Sequence, residues 1–376
     1  MRNLLIVESA GKIKKLKSIL GSDWDVKASI GHIRQLANDG DGSLGFELGT
    51  EKILFQRGFA NDCRYIPRDD RAKQTIAGLI AAAKQADRVF IASDPDREGE
   101  VIGWHIAQVL ELQQPQRVVY QEITESAVKK AIASPRSLDM ALVEAGRCRD
   151  CLDKLVGYKR SPLIWRLNNG AKSVGQVQSA TLHLVCQRER EIQAFTPQDY
   201  WSVFVDYAEG FRAFYNGTAQ TASPATDEET SDDAGATEKV AESTRVLSQA
   251  EAQRLVEIGK SQPHQVQTIE GKLAPKNPPA PFITSSLQQA AGARLKFSPE
   301  HTMSIAQKLY EAGLIPYMRT DSVELSQDFC KAAREWLMSH DRDNVPMKVA
   351  KQRSSKDAQE DHEAVRPTDL TSLKRT

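Results

Sequence analysis

Apolar positions near the start of the chain fall in short continuous blocks, and further on they recur at helical spacing. Asn3-Leu4-Leu5-Ile6-Val7 is one block and Val89-Phe90-Ile91-Ala92 another; each reads as a short strand buried on both faces. Residues 11–20 read as a helix. So does the segment after Glu98, where Val101, Ile102, Trp104, His105, Ile106, Val109 and Leu110 keep a helical period. Strands alternating with helices over 1–135 predict an α/β sheet. Residues 137–195, rich in Arg, Lys and Leu, read as helices. From Tyr200 to Tyr215 the period shifts toward two, with Trp201, Val203, Val205 and Tyr207 on one face, which predicts strands. Strands are expected to resume over 262–274. A proline-rich hinge (Pro275, Pro278, Pro279, Pro281) leads to two capped helices. Ser285 or Ser286 starts the first. Ser298 caps the second, with Pro299 at its first position and Gly313 as its stop. Two short helices followed by an extended segment suggest a helix-turn-helix with a wing. The stretch 348–361 is polar and reads as loop.

Composition narrows the class. At 376 residues there is room for two to four domains, and 40% hydrophobic with 27% charged residues is the balance of an ordinary globular protein. No stretch approaches the roughly 20 apolar residues of a membrane helix, and the N-terminus runs straight into a strand without a signal peptide, so a cytoplasmic location is expected. Five scattered cysteines (Cys63, Cys148, Cys151, Cys186, Cys330) do not make a disulfide framework. Cys148-x-x-Cys151 lacks a second pair at zinc-finger spacing, and two thiols on a helix is the plainer reading. The formal charge is zero. It is unevenly placed: seven acids and one lysine between 218 and 243 give that stretch −6 and leave the rest at +6. That stretch is almost free of aromatics and reads as a disordered loop. A basic body with an acidic loop is compatible with nucleic-acid binding.

Three places carry candidate chemistry. Glu8 stands where the first strand ends, the edge at which open α/β sheets bind ligands. Asp94, Asp96 and Glu98 leave the second strand at alternate positions. With Glu8 they could form an oxygen-rich cage of the kind Mg²⁺ takes; alternatively Asp-Pro-Asp is an ordinary turn and Glu8 a surface acid. Far downstream, Tyr317 lies two residues before Arg319. On an extended segment both side chains leave one face. A guanidinium beside a phenol favours the phenolate and can hold a phosphodiester that the phenolate attacks. By itself, a tyrosine and an arginine two apart is a common strand pattern.

Taken together the motifs are far more specific. Val7-Glu8-Ser9 with Lys12, and Asp94-x-Asp96-x-Glu98-Gly-Glu100, resemble the Toprim domain. Downstream, in the same order, come Gly31-His32-Ile33-Arg34, Leu152-Asp153-Lys154-Leu155-Val156-Gly157-Tyr158, Val177-Gln178-Ser179, Arg188-Glu189-Arg190-Glu191-Ile192, Pro316-Tyr317-Met318-Arg319-Thr320-Asp321-Ser322 and His362-Glu363-Ala364-Val365-Arg366-Pro367. This set resembles a bacterial type IA DNA topoisomerase, topoisomerase I rather than III, along almost the whole chain. The resemblance implies a multidomain α/β and α+β fold. A Rossmann-like Toprim domain would occupy 1–135 and the first part of a helical DNA-binding base 136–198. A partial β arch with a disordered acidic loop at 217–245 would occupy 199–275, and an incomplete helix-turn-helix-like tyrosine domain 276–376.

The same resemblance implies roles. Tyr317 would attack a single-stranded DNA phosphodiester and keep the 5′-phosphoryl end, in an ATP-independent relaxation of negatively supercoiled DNA. Arg319 and Lys12 would hold the scissile phosphate. Glu8 would exchange a proton with the leaving 3′-oxygen or else ligate the metal; the two roles compete. Asp94, Asp96 and Glu98 would hold Mg²⁺, and His362 would tune the tyrosine or the phosphate. His32, Arg149, Asp150, Asp153, Tyr158, Trp165, Ser173, Val174, Gly175, Gln176, Val177 and Gln178 fall at DNA-contact positions, with Tyr158 and Trp165 able to stack on unpaired bases. Without the resemblance both aromatics would read as core. No Gly-x4-Gly-Lys-Ser/Thr loop occurs, in keeping with independence from ATP.

Two departures stand out. The family usually has arginine where this chain has Asp150 and Gln176, so weaker DNA binding than in a typical member is expected. Family segments expected beyond Thr376 are missing, which suggests a truncated catalytic core. The competing reading is a diverged single-stranded-DNA-binding paralogue without full relaxation. A monomer is expected.

Overall fold

The computed structural model describes residues 2–47, 63–168, 170–217, 243–271, 279–346 and 362–370. The expected acidic disordered loop and the polar stretch 348–361 lie outside the described residues, apart from the ends of that loop. The chain divides into two compact units, one made of 1–181 with 280–376, the other of 182–279.

The first unit is built around a four-stranded parallel sheet in the order β2–β1–β5–β6, formed by β1 (Asn3–Val7), β2 (Trp24–Ala28), β5 (Arg88–Ala92) and β6 (Gln116–Arg117). The central strands are the two apolar blocks of the sequence, and their inward residues Leu5, Ile6, Phe90 and Ile91 are almost fully buried. Strands buried on both faces have no polar alternation, which is why they read as continuous runs. β3 (Arg34–Leu36) and β4 (Tyr65–Pro67) form a separate antiparallel pair.

Helices cover the sheet. α1 (Ile13–Leu20) follows a short 3₁₀ turn at Ala10–Lys12 that Ser9 caps. α2 (Asp70–Ala83) is capped by Asp69. α3 (Arg97–Val109) begins directly after the Asp94-Pro95-Asp96 loop, so Glu98 belongs to its first turn. α4 (Glu125–Ala133) and the long α5 (Met140–Trp165) follow. Leu4, Ile6, Ile91, Ile102 and Ile106 pack on one face. On the other, Leu5, Val7 and Phe90 share a core with Tyr310, Tyr317 and Met318. The tyrosine segment is therefore part of the core of the N-terminal sheet.

That segment follows α8 (Thr284–Leu295) and α9 (Pro299–Glu311). Ser298 caps α9 with Pro299 at its first position, and Gly313 sits beyond its end at φ +73°, a left-handed conformation that suits glycine. The first of the two helices starts at Thr284, not at Ser285 or Ser286; Ser286 instead reaches back to the Ile283 amide. The wing expected after Gly313 is not a strand: among the described residues 314–326 form no ladder. Ser326 caps α10 (Gln327–His340).

The second unit, taken alone, holds an antiparallel pair, β7 (Phe204–Asp206) and β8 (Arg212–Phe214), and the helix α7 (Gln249–Ser261). α6 (Gln176–Ala194) runs across the boundary between the units. Strands were expected to resume over 262–274. Residues 262–271 instead follow α7 without any ladder partner, and an alternating pattern makes a strand only where a neighbour takes its backbone hydrogen bonds.

Candidate active site

The site starts from the register of two strands. β1 and β5 are parallel neighbours with Val7 opposite Ala92, so Glu8 and the loop from Ser93 emerge side by side at the carboxyl edge of the sheet. The Asp94 amide donates to Glu8 Oε2 at 3.2 Å. Asp96 turns the loop into α3: its Oδ1 accepts from the Gly99 amide at 2.7 Å, a standard helix cap. Gly99 is required there, because a Cβ would stand 2.0 Å from the Asp94 carbonyl oxygen.

Tyr317 closes over this loop. Its hydroxyl donates to the free oxygen of Asp96, Oδ2, at 2.5 Å. Its backbone amide is fixed by the Gln121 carbonyl at 2.8 Å. The ring is 2% exposed and meets Tyr310 edge-on at 5.4 Å. Burial first, then the charges of Asp96 and Asp94, hold the phenol well above its ordinary pKa. Arg319 stays cationic: burial opposes its charge, but Tyr317, Asp96 and Asp94 outweigh that. Tyr317 is buried while Arg319 is exposed, and the segment between them is not a strand.

Lys12, fully buried, ion-pairs with Asp94 and lies over the Tyr310 ring, 5.1 Å from its centroid. His362 Nε2 lies 2.8 Å from the Pro95 carbonyl. A carbonyl only accepts, so this nitrogen carries the proton. The His362 ring is 6.0 Å from that of Tyr317. Glu98 faces the other way, 3.1 Å from His32 Nε2 and 3.3 Å from Arg149 Nη1. The hydrogen bond from His32 lowers the Glu98 pKa, and the same bond raises that of His32. Asp153 lies 3.7 Å from Arg149 Nε. Asp150, beside them, is raised by burial and by its acidic neighbours Glu98 and Asp153, with His32 opposing. A groove of about 670 Å³ opens here, lined by Asp96, Glu98, Arg149, Arg319 and His362 among others.

The donors of the acidic loop suit a hard cation. Glu8, Asp94, Asp96 and Glu98 offer only carboxylate oxygens. Burial first, then the charge of Asp94, raises the pKa of Glu8 against the opposing effect of Lys12. The carboxylates do not converge in this structure: Asp94 faces Lys12, Asp96 faces Tyr317, and Glu98 faces His32. Among the described residues no group of three or more acidic, histidine or cysteine side chains is arranged around one ion position.

The remaining sequence-predicted residues lie away from this cluster along α5 and beyond. Tyr158, 46% exposed, donates to Asn38 Oδ1 at 3.3 Å, and Trp165, 59% exposed, donates to the Lys172 carbonyl at 2.7 Å. Neither aromatic is core. Trp165 is sixteen residues beyond Arg149, about 24 Å along a helix. Ser173, Val174 and Gly175 lead into α6, whose first residues are Gln176, Val177 and Gln178, and the Val174 amide donates to Ser161 Oγ at 3.0 Å.

Two supports escaped the sequence reading. Arg117 is fully buried, pairs with Glu100 at 3.0 Å, and donates to the carbonyls of Ser93 and Asp94 at 2.8 Å each. It therefore sets the backbone of the acidic loop from beneath. Glu100 also takes Arg136. The second is Glu311, at the end of α9, which accepts from Ser9 Oγ at 2.5 Å and from Gln307 Nε2 at 3.1 Å, fastening the tyrosine helices to the loop after β1. Nothing in the sequence pointed to Arg117 or Glu311.

A parallel sheet that releases one glutamate from its first strand and an Asp-x-Asp-x-Glu loop from the neighbouring strand has the arrangement of a Toprim domain, here covered by a tyrosine from further along the chain. The Toprim domain family matches residues 3–124, and the DNA topoisomerase family matches 137–376. The chain belongs to the bacterial type IA DNA topoisomerase family. It is 40% identical over 375 residues to DNA topoisomerase 1 of Zymomonas mobilis, covering 98% of this chain and 29% of that protein. It is 37% identical over 385 residues to DNA topoisomerase 1 of Rickettsia felis, covering 98% and 46%. Its fold is similar to full-length topoisomerase I of Thermotoga maritima, with a TM-score of 0.73 at 32% identity over 98% of this chain and 55% of that one. The chain thus spans about half or less of the length of these relatives. Among the described residues no helix is long and apolar enough to cross a membrane.

Proposed function

We propose that this chain carries the cleavage centre of a type IA DNA topoisomerase and that its substrate is a single DNA strand. The supporting observation is the Tyr317 hydroxyl donating to Asp96 across 221 residues of sequence. Tyr317 Oη attacks phosphorus, the bond to the 3′-oxygen breaks, and the 5′-phosphoryl end stays on the tyrosine; one hard transfer becomes two reversible ones. The phenol proton has an acceptor in Asp96. Glu8, its pKa raised by burial, is suited to give a proton to the leaving 3′-oxygen. Arg319 neutralises charge on the phosphate, and Lys12, held by Asp94, adds positive potential behind it. His362 orients the tyrosine from the Pro95 side. Mg²⁺ held by Asp94, Asp96 and Glu98, with Glu8 beside them, would supply positive charge and positioning for resealing.

His32, Arg149, Asp150, Asp153, Tyr158, Trp165 and residues 173–178 would lead the strand to the centre, the exposed Trp165 and Tyr158 by stacking on bases. In the full reaction the enzyme would relax negatively supercoiled DNA without ATP, as a monomer in the cytoplasm near the nucleoid. The test is incubation with supercoiled plasmid and Mg²⁺. Relaxed topoisomers together with protein linked to 5′ ends support the proposal. Cleavage without relaxation supports the centre in this chain and removes strand passage from it. DNA binding without any covalent product rejects the proposal in favour of a binding paralogue.

A further inference from the structure

Helix α5 rests on the residues that follow β3 and on those that precede β4, and at this junction two cysteine thiols face each other. Cys63 and Cys151 are 88 residues apart, yet their sulfurs are 3.2 Å from one another. Cys151 is 3% exposed, while Cys63 is only partly covered. Both sit in a small core with Leu36, Leu44, Phe46 and Leu155. Lys154, one turn along, donates to the Leu36 and Ala37 carbonyls and to Asn38, so helix and segment are already held in register. The other three cysteines are not part of this pair.

We propose that Cys63 and Cys151 are a modification site: a dithiol that low-molecular-weight disulfides such as oxidised glutathione convert to a reversible intramolecular disulfide. Sulfurs in contact need to approach by about 1.2 Å to bond. Cys63, the accessible partner, attacks one sulfur of oxidised glutathione as its thiolate. The glutathione S–S bond breaks, a Cys63–glutathione mixed disulfide forms, and one glutathione leaves as a thiolate that takes up a proton. Cys151 then attacks the Cys63 sulfur and expels the second glutathione. Two protein thiols are oxidised and one glutathione disulfide is reduced to two thiols. The product ties α5, which carries Arg149 on its groove side, to the residues just before β4 and removes the freedom of the two to part. The proposal is independent of the function proposed above, because it concerns only thiols and a redox partner.

The chain is incubated with oxidised glutathione over a range of ratios to reduced glutathione. It is then quenched with an alkylating agent and mapped by non-reducing peptide mass spectrometry. The expected result is one cross-linked peptide pair, Cys63 with Cys151, lighter by two hydrogens and restored by dithiothreitol. Cys148 stays alkylatable. Amide exchange over residues 36–46 and 150–158 slows in the oxidised form. Cys151→Ser should stop the reaction at the mixed disulfide on Cys63, and Cys151→Ala serves the same purpose if the serine variant misfolds. Accumulation of the mixed disulfide in the unsubstituted chain overturns the proposal. So does a bridge to Cys148, or failure of either thiol to react while exposed Cys148 does.

Discussion

Tyr317 and Asp96 are 221 positions apart in sequence, and the hydroxyl of one donates to a carboxylate oxygen of the other at 2.5 Å. The second oxygen of Asp96 is occupied by the Gly99 amide. The carboxylate therefore cannot turn toward the tyrosine without uncapping α3, so the tyrosine must come to the acid. Tyr317→Phe removes only that hydroxyl. The expected outcome is complete loss of covalent DNA adduct on a denaturing gel, with the circular dichroism spectrum unchanged and stability altered by no more than about 1 kcal/mol.

The pair beneath the loop is a matter of stability. Arg117 and Glu100 are both buried; loss of Arg117 leaves the Glu100 carboxylate only the half-exposed Arg136 as a cationic partner, and loss of Glu100 strands Arg117. Arg117→Met should destabilise the first unit by about 3–5 kcal/mol in urea unfolding. A double variant, Arg117→Met with Glu100→Leu, should recover part of that loss, since no unpaired buried charge remains and Arg136 is half-exposed. A double variant as unstable as the sum of the singles would argue that Arg117 acts mainly through the carbonyls of Ser93 and Asp94.

Acid should weaken the fold through His105. It is 1% exposed; burial first, then the charge of Arg34, depress its pKa to about 2. Its Nδ1 accepts from Arg34 Nε at 2.9 Å, which requires the unprotonated nitrogen. A depressed histidine contributes stability that is complete above its unfolded pKa near 6.5 and is lost as the pH falls below it. From pH 6.5 to 5 that amounts to roughly 2 kcal/mol from this group. His105→Asn, whose carbonyl can replace Nδ1 as acceptor, should flatten the stability profile between pH 7 and 5. Equal slopes for the two proteins would remove His105 as the cause.

Asp150 lies beside Glu98 and Asp153. A third carboxylate there repels a phosphate backbone. Asp150→Arg should tighten binding of a single-stranded oligonucleotide several-fold at low salt. It should also steepen the plot of log affinity against log salt by about 0.7, one phosphate's worth. Fluorescence anisotropy at four salt concentrations reads both. An unchanged slope would place Asp150 off the strand's path.

Glu311 joins Ser9 across the same interface that Tyr317 covers. Glu311→Ala should loosen α9 from the loop after β1, seen as faster amide exchange over residues 299–311 with no change at β1. Uniformly faster exchange would mean that the contact supports the whole unit.

Much of this was legible in local pattern. The two central strands, the Ser298–Pro299 helix start, the Gly313 stop and the acidic loop all rest on short-range rules of burial, capping and turn conformation, and those rules act within a few residues. The missed features share the opposite property. The absent ladder at 262–271 and the supports Arg117 and Glu311 depend on what lies across from them. A polar residue at a helix end looks the same in sequence whether it meets water or Ser9.

The sequence by itself determined which side chains are able to do the chemistry: carboxylates at strand ends, a tyrosine with a cation two residues on, and their order along the chain. Only the tertiary structure decided which of them meet. Parallel pairing of β1 with β5 in the register of Val7 with Ala92 brings Glu8 to Asp94, and a shared apolar core carries Tyr317 onto Asp96. The physical reason is that residue type follows from covalent chemistry, whereas proximity between distant residues follows from strand register and burial, which exist only once the whole unit has packed.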